Sequence, residues 1–401
     1  MKVQKMTKKI GMIRKKMLTR ERIMLIVEYL TRPEKQRGWS DTVRERWEKF
    51  NEHYEENIEK IYNRLRYQVW VPGDFNVFKK REGKKVRTIY ESMPEDLIVD
   101  TIFFDCLNYV FFEKKKIIPE TSYGSIKGKG QHDLRAKIIS LVKYNKDLYA
   151  ACWDTEKYYP TMDHDIIMQT LSSHIKDKWM LWFSSVCVSR MGSVGVALGL
   201  PSSNPMGHIY HAIIDWMIIL QYKIRRFYRF CDDKWAFHKD VNYLHTISRV
   251  VIEKTKDVLH QEIKHNWRVL RCKEERFECL GAMINSHSAR LKSFSRRRIE
   301  KNIKANIKLH DPMHALRSWS GIRGSLKNLS VSNLINYWKE VYPEFFHLLR
   351  WAHSILESNR QRRRWHKKLE KILINAKDMR SETNKKLYVY GFDIEQKGKA
   401  A

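Results

Sequence analysis

The chain has 401 residues and carries 77 Lys and Arg against 46 Asp and Glu, a formal net charge of +31. This excess makes a polyanion, above all nucleic acid, the expected partner, because neutralised phosphates release counterions on binding. No apolar run has the length of a membrane-spanning helix and the basic N-terminus lacks a signal-peptide core, so we expect a cytoplasmic protein without membrane contact. The six cysteines lack metal-binding spacing and are interpreted as reduced thiols.

The first third of the chain predicts helices followed by a basic hairpin. Residues 1–71 are charged, with apolar side chains at helical spacing, and Pro72 ends this helical region. Residues 75–90 then alternate in polarity around Arg81-Glu82-Gly83-Lys84, which predicts a β-hairpin rich in Lys and Arg. Such a hairpin could bind phosphates or be a charged surface, and this segment alone does not separate the two.

Two further segments precede the middle of the chain. Residues 94–112 have the pattern of an amphipathic helix packed in a core. Residues 122–133 form a glycine-rich basic loop that opens a helix, where backbone N–H groups and lysines could hold a phosphate. The loop is not a Walker motif, because its spacing is one residue short and neither Ser nor Thr follows Lys129.

A short apolar run, residues 147–153, predicts a strand that presents Asp154 at its carboxyl end, where active-site acids are often found. The following helix is expected to be capped by Asp163. Residues 192–204 are a Gly, Ser and Pro loop leading into an apolar helix. His208, His211 and Asp215 share one face of that helix, which suggests either a metal site or, as we prefer, polar packing.

Residues 229–237 predict a β-hairpin with Asp232 and Asp233 at its tip, because aromatic runs flank two good turn residues. Adjacent like charges repel, so a bound cation is the expected counterweight. The alternative is an ordinary turn on a solvated hairpin.

The last third predicts a helix over residues 246–260 and a second hairpin with strands at 277–284 and 289–294. From residue 295 the chain is helical and basic. An isoleucine stripe gives this helix a core face, and the cationic remainder suits a nucleic-acid backbone.

In this order the segments resemble the reverse transcriptases, specifically the compact prokaryotic enzymes related to those of group II introns and diversity-generating retroelements. The resemblance covers roughly residues 75–338. The motifs that carry it are Ser122-Tyr123-Gly124 with Lys129, Gly130 and His132 (fingers), Asp154 to Asp163 with Tyr158-Tyr159-Pro160 (first palm motif), Gly199-Leu200-Pro201 (loop and helix), Phe230-Cys231-Asp232-Asp233 (the aromatic-x-Asp-Asp signature) and Cys279-Leu280-Gly281 (primer grip).

The resemblance implies an α+β right-hand polymerase, with fingers, a palm built on an antiparallel sheet and a helical thumb. The expected divisions are a helical N-terminal region (1–71), fingers (72–146), palm with the primer-grip hairpin (147–293), basic helical thumb (294–380) and a tail (381–401).

The implied activity is RNA-directed DNA synthesis by two-metal nucleotidyl transfer, using dNTPs and two Mg²⁺ ions, with Mn²⁺ as a substitute. The resemblance implies that Asp154 and Asp232 bridge the metals and that Asp233 and Thr155 complete the ligand shell. The three aspartates are the expected catalytic residues.

The resemblance also assigns binding residues. Tyr159 occupies the position where an aromatic ring excludes a ribose 2′-OH, and Arg87 lies where the family contacts the incoming triphosphate. The remaining expected contacts are Lys127, Lys129, Pro201 and Lys264 for the nucleotide, and Leu280, Gly281, Arg296, Arg297, Lys301 and Lys304 for the nucleic acid.

One departure concerns the biological setting. Diversity-generating enzymes carry a Ser-Gln pair where this chain has Gly207-His208. We therefore expect antiviral defence in a prokaryotic or phage-infected cell, with a dedicated non-coding RNA as template and DNA as product. The alternatives are a diversity-generating enzyme, untemplated or protein-primed synthesis, and a non-catalytic RNA-binding scaffold. An accessory protein or a homo-oligomer is a possible further partner.

Overall fold

The computed structural model describes residues 9–82 and 85–378. The described residues divide into two compact units, one comprising those up to Lys292 together with Asn328–Ser330, the other comprising Ser293–Lys327 and residues 331–378. The first unit mixes helices and sheets and the second is helical, so the α+β class is confirmed. The predicted tail (381–401) lies outside the described residues, and the finer division into four regions stays an interpretation of the sequence.

Helices make up the N-terminal region, as predicted. Thr19 and Ser40 start two of them, each accepting a backbone N–H with its side-chain oxygen. The predicted apolar stripe is buried at Ile58 and Ile61. The helices are α1 (Ile13–Met17), α2 (Arg20–Thr31), α3 (Pro33–Gln36), α4 (Asp41–Glu52) and α5 (Tyr54–Arg66).

The basic hairpin is also confirmed. Strands β1 (Asn76–Glu82) and β2 (Lys85–Glu91) pair antiparallel along their whole length, while the turn residues Gly83 and Lys84 lie outside the described residues. The buried helix α6 (Pro94–Leu107) follows.

A five-stranded sheet forms the centre of the first unit. Its order is β3-β5-β6-β4-β7, with β3 parallel to β5 and the other pairs antiparallel. The strands are β3 (Ser122–Tyr123), β4 (Tyr149–Asp154), β5 (Phe227–Phe230), β6 (Asp233–His238) and β7 (Arg268–Arg271). The prediction of a loop at Ser122 and Tyr123 was wrong, because hydrogen bonds to the distant β5 draw these two residues into the sheet.

Helices cover this sheet, and side chains alternate between two cores as strand geometry requires. Trp235 and Phe237 enter one core while Ala236 enters the other. The helices that follow α6 in the first unit are α7 (Gln131–Tyr144), α8 (His164–His174), α9 (Lys178–Val188), α10 (Ser203–Trp216) and α11 (Val241–Leu259).

The second predicted hairpin is instead a three-stranded sheet of order β10-β9-β8. Its strands are β8 (Phe277–Cys279), β9 (Ala282–Ile284) and β10 (Ala289–Leu291). Residues 277–284 are not one strand, because Leu280 (φ 49°) and Gly281 (φ 78°) take left-handed conformations that reverse the chain.

The second unit consists of helices in its described residues. Ile299 and Ile303 of α12 are buried, which confirms the predicted stripe, and Trp338 is fully enclosed. The helices are α12 (Ser293–Leu309), α13 (Pro312–Leu326), α14 (Ser332–Val341) and α15 (Pro343–Asp378). No helix in the described part of either unit is both long and apolar enough to cross a membrane.

An ion pair between Arg229 of β5 and Asp215 of α10 is completely enclosed in the first unit. The Arg229 Nε donates to Asp215 Oδ2 at 2.8 Å, and both side chains are 0% exposed. Ser122 Oγ donates to the same carboxylate at 3.2 Å, and Arg229 Nη1 donates to the Cys231 carbonyl at 3.3 Å. The preferred interpretation of Asp215, polar packing, is therefore confirmed.

Replacing Asp215 with Asn should lower the free energy of unfolding by roughly 3 kcal/mol or more, since it leaves the Arg229 charge buried without its partner. Urea denaturation measures this loss. The matched control is Asp147→Asn, which breaks the exposed pair with Lys239 and should cost less than about 0.5 kcal/mol. Equal losses in the two variants would contradict the structural role given to Asp215.

Candidate active site

The three predicted catalytic acids converge at one end of the central sheet. The register of β4 and β6 sets Asp154 directly opposite Asp233, and Asp233 also pairs with Phe230 of β5. Asp232 lies in the two-residue turn between β5 and β6, where its carbonyl accepts the Thr155 N–H at 3.2 Å. Directly opposed strand residues have Cα atoms about 5 Å apart, so acids 78 or 79 positions apart in sequence become neighbours.

The tight turn at Cys231 (φ 52°) depends on a glycine from another part of the chain. Gly124 (φ 91°) follows β3, and a Cβ atom there would lie 2.9 Å from the Cys231 sulfur. Glycine is required because it combines the positive φ with this close approach. The predicted fingers motif thus has a packing role beside the acidic turn.

Burial and mutual repulsion disfavour the charged, deprotonated forms of these acids. Burial, followed by the charges of Asp232 and Asp154, raises the pKa of Asp233 to about 7. The pKa of Asp232 is raised by burial and then by Asp154. A cation placed among these carboxylates would oppose both shifts, because it favours the charged forms.

Asp154 combines an ion pair with an unsatisfied oxygen. Its Oδ2 pairs with the Lys264 ammonium, and the Lys264 N–H donates to the Asp154 carbonyl at 2.9 Å. Its Oδ1 is buried and has no hydrogen-bond partner among the residues that the structure describes. Buried carboxylate oxygens ordinarily have partners, so this orphan acceptor fits a metal ligand.

The acids are not already arranged as the ligands of a bound ion. Within residues 9–82 and 85–378 no three His, Cys, Asp or Glu side chains are gathered closely enough to hold a metal. The Lys264 ammonium engages Asp154 instead. The donors are nevertheless hard carboxylate oxygens, which suit Mg²⁺, so the residues fit the implied ion in kind.

A pocket of about 820 Å³ opens over the acids. Glu278 of β8 and Lys292 form an ion pair of 2.5 Å in its wall, and Glu278 contributes to the raised pKa of Asp233. Cationic and aromatic residues of the remaining lining include Lys264, Arg268, Trp235 and Trp267. This lining suits an anionic, partly aromatic ligand.

Two residues beside the acids face inward. Lys234 is 0% exposed and donates to Thr155 Oγ1 at 2.6 Å, and burial lowers its pKa to about 8. Thr155 is 1% exposed, so its hydroxyl is not presented to the pocket, as the metal-ligand role predicted for it would require. Sequence reasoning missed Lys234, although strand alternation after Asp233 was a usable signal.

Tyr159 lies next to the acidic turn but does not line the pocket. Its hydroxyl donates to Asn204 Oδ1 at 2.5 Å, and its ring packs edge-on against Tyr158 with centroids 4.9 Å apart. Burial, with the nearby Cys231 and Asp232, raises the pKa of Tyr159, so it stays a neutral hydroxyl.

The loop carrying Gly199-Leu200-Pro201 attaches to the basic hairpin. Tyr90 of β2 donates its N–H to the Leu198 carbonyl at 3.1 Å, and a Cβ at Gly199 (φ 123°) would lie 2.9 Å from the backbone carbonyl oxygen of Tyr90. The half-buried Pro201 therefore lies beside the hairpin that carries Arg87.

Gly207 and His208 lie inside the first unit. A Cβ at Gly207 would meet the Tyr158 ring at 2.8 Å, and His208 Nε2 hydrogen-bonds the Gly124 carbonyl at 2.7 Å. The departure from the Ser-Gln pair is therefore a difference in core packing beneath the acidic turn.

The other predicted nucleotide contacts lie away from the pocket wall. Arg87 is exposed on β2 opposite Lys80, and Lys127 is exposed in its loop. Lys129 Nζ donates to the Glu120 carbonyl at 2.7 Å. None of these residues, nor Pro201, lines the pocket over the acids.

The predicted nucleic-acid contacts fall in both units. Leu280 and Gly281 form the turn between β8 and β9 in the first unit. In the second unit α12 exposes Arg297, Lys301 and Lys304. Arg296 is half-buried in the same helix and pairs with Glu300 at 2.8 Å.

No protein-family model matches the sequence, and comparison with curated proteins gives no significant match. The resemblance to reverse transcriptases therefore depends on the motifs themselves.

Asp100 of α6 anchors the loop that leads into α10. It is 3% exposed and accepts from the Ser202 N–H at 3.0 Å and the Ser202 hydroxyl at 2.6 Å. Burial raises its pKa from 3.8 to about 6, while the Ser202 hydrogen bonds and Arg190 oppose the shift.

Replacing Asp100 with Asn should flatten the pH dependence of stability between about pH 4.5 and about pH 7. The folded protein holds the Asp100 proton more tightly than the unfolded chain, so this stabilisation is present at low pH and is lost as pH rises through 6. The parent should lose roughly 2 kcal/mol more than the variant over that interval, measured by urea denaturation. Parallel pH profiles would contradict the pKa given to Asp100.

Proposed function

We propose that this chain is an RNA-directed DNA polymerase of the right-hand type, with the acids of the central sheet as its catalytic centre. The observation that carries the proposal is the register of β4 and β6, which brings Asp154 beside Asp232 and Asp233 at the floor of an open pocket that also contains cationic side chains. Hairpin tips with two acids are common. A third acid delivered by the adjacent strand is the arrangement that nucleotidyl transfer needs.

Asp154 and Asp232 would hold the Mg²⁺ ions, with Asp233 supporting them. When bound, such ions stabilise negative charge on the attacking and leaving oxygens of phosphoryl transfer. The raised pKa values of Asp232 and Asp233 and the Asp154 Oδ1 without a hydrogen-bond partner among the described residues support this assignment, because a cation bound there would favour the charged carboxylates.

The positive side chains of the pocket would serve the triphosphate and the primer. Lys264 is paired with Asp154 at the pocket, where its ammonium would contact the phosphates of a bound nucleotide. Arg268 and Lys292 line the same space. The exposed Arg297, Lys301 and Lys304 of α12 would contact a nucleic-acid backbone without reading its sequence.

Antiviral defence, with a dedicated non-coding RNA as template and DNA as product, is the setting we propose for this activity. The net charge of +31 supports a tightly held RNA. Because Gly207 and His208 are buried, the absence of the Ser-Gln pair is explained by packing and does not weaken the polymerase proposal.

The Asp232→Ala, Asp233→Ala double variant should lose dNTP incorporation by on the order of a thousandfold, since it removes two charges that the transition state requires. The assay extends an oligo(dT) primer on poly(rA) with Mg²⁺ or Mn²⁺. Asp165→Ala, an exposed acid of α8, is the matched control and should extend the primer like the parent.

Equal extension by the parent and the double variant would remove the assigned catalytic centre. A parent that binds RNA tightly but extends no primer, on this template or on its co-purifying RNA, would favour the scaffold alternative.

Tyr159→Ala should raise ribonucleotide use relative to deoxynucleotide use by roughly tenfold or more, because the space of the missing ring would admit a 2′-OH. Incorporation of each nucleotide class at matched concentrations measures the ratio. Tyr159→Phe keeps the ring while losing the hydrogen bond to Asn204, so it should keep the parental ratio. If the Ala variant folds and its ratio is unchanged, Tyr159 does not discriminate sugars.

A further inference from the structure

Lys234 occupies a buried position of the central strand β6, where an apolar side chain would be expected. It follows Asp233 in β6 and stands opposite Arg229 of β5 and Trp153 of β4. Because side chains alternate along a strand, it points to the sheet face opposite Asp233, the face whose core includes residues of α10 and α11. Enclosing an ammonium there is costly, so the position calls for a specific explanation.

The Lys234 ammonium joins the two chain segments that carry the acids. It donates to Thr155 Oγ1 at 2.6 Å and to the Asp232 carbonyl at 3.5 Å. Thr155 directly follows Asp154, and its N–H donates to that same carbonyl at 3.2 Å. One buried cation therefore links the end of β4 to the turn before β6.

The charge of Lys234 also acts on the acids. Within the described residues it has no carboxylate within ion-pair distance, and the carboxylates that favour its charged form include Asp215, Asp232 and Asp154. In return, Lys234 opposes the rise in the pKa of Asp232. Lys264 reaches Asp154 from the pocket, whereas Lys234 reaches the acids from inside the protein.

We propose that Lys234 is a positioning residue, an internal counter-cation that holds Asp154 and Asp232 in place while no divalent ion is bound. This inference deepens the proposed function and rests on it for the meaning of the divalent ion. The hydrogen bonds of Lys234 fix the two segments, and its charge offsets part of the repulsion among the three carboxylates.

The alternative is that Lys234 fills core volume. A buried lysine that only fills space should be replaced by Met, an unbranched apolar side chain of similar length, with no loss or a gain of stability. If Lys234 balances the acids, Lys234→Met should instead lower the Tm of the chelator-treated protein by roughly 5 °C or more.

Charge compensation gives the decisive comparison. Asp232→Asn removes one of the charges that Lys234 offsets. The change in Tm that it causes should therefore be more positive, by roughly 3 °C or more, in the Lys234→Met background than in the parent. Asp165→Asn, an exposed acid, is the matched control and should shift Tm equally in both backgrounds. The parent, the three single variants and the two double variants are all compared in metal-free buffer.

Unchanged stability of Lys234→Met, or additive effects of Lys234→Met and Asp232→Asn, would overturn the inference. If Lys234→Met fails to fold, folding of the double variant supports the inference, and failure of the double variant alongside a folded Asp232→Asn protein overturns it. Adding MgCl₂ or MnCl₂ to the parent tests the proposed function separately. An unchanged parental Tm counts against metal binding, whereas the coupling measured without metal reports on Lys234 alone.

Discussion

Repulsion among three carboxylates at one end of a sheet is the constraint on which the rest of the site depends. The pairing of β4 with β6 forces Asp154 against Asp233, and the turn adds Asp232. Buried like charges in such a cluster are unfavourable unless cations balance them. Lys264 on the pocket side and Lys234 on the core side provide that balance within the protein.

The scaffold beneath the acids is correspondingly polar. Asp215 and Arg229 form an enclosed ion pair whose guanidinium reaches the Cys231 carbonyl in the acidic turn. Gly124 admits the Cys231 sulfur, and His208 binds the Gly124 carbonyl. Breaking this network would leave buried groups unpaired, so the turn is held by contacts that favour a single conformation.

Local chemistry explains what the sequence could predict. Aromatic runs flanking Asp232-Asp233 indicated the hairpin, an apolar run ending at Asp154 indicated β4, and Asp163 was correctly predicted as a helix cap. The errors arose where contacts with distant parts of the chain determine the local secondary structure. Partners far along the chain draw Ser122 into the sheet, and two adjacent left-handed residues, one of them Leu280, break an apparently continuous strand. Strand alternation after Asp233 indicates that Lys234 lies on the opposite face of β6, but its complete burial depends on helices from other parts of the chain.

Anomalous diffraction from crystals soaked in MnCl₂ would show whether these acids hold a divalent ion, because it locates the cation itself. We expect a Mn²⁺ peak between the Asp154 and Asp232 carboxylates, with the Lys264 ammonium displaced from Asp154. A protein without a peak at these acids, with Asp154 still paired to Lys264, would rule out the assigned catalytic centre.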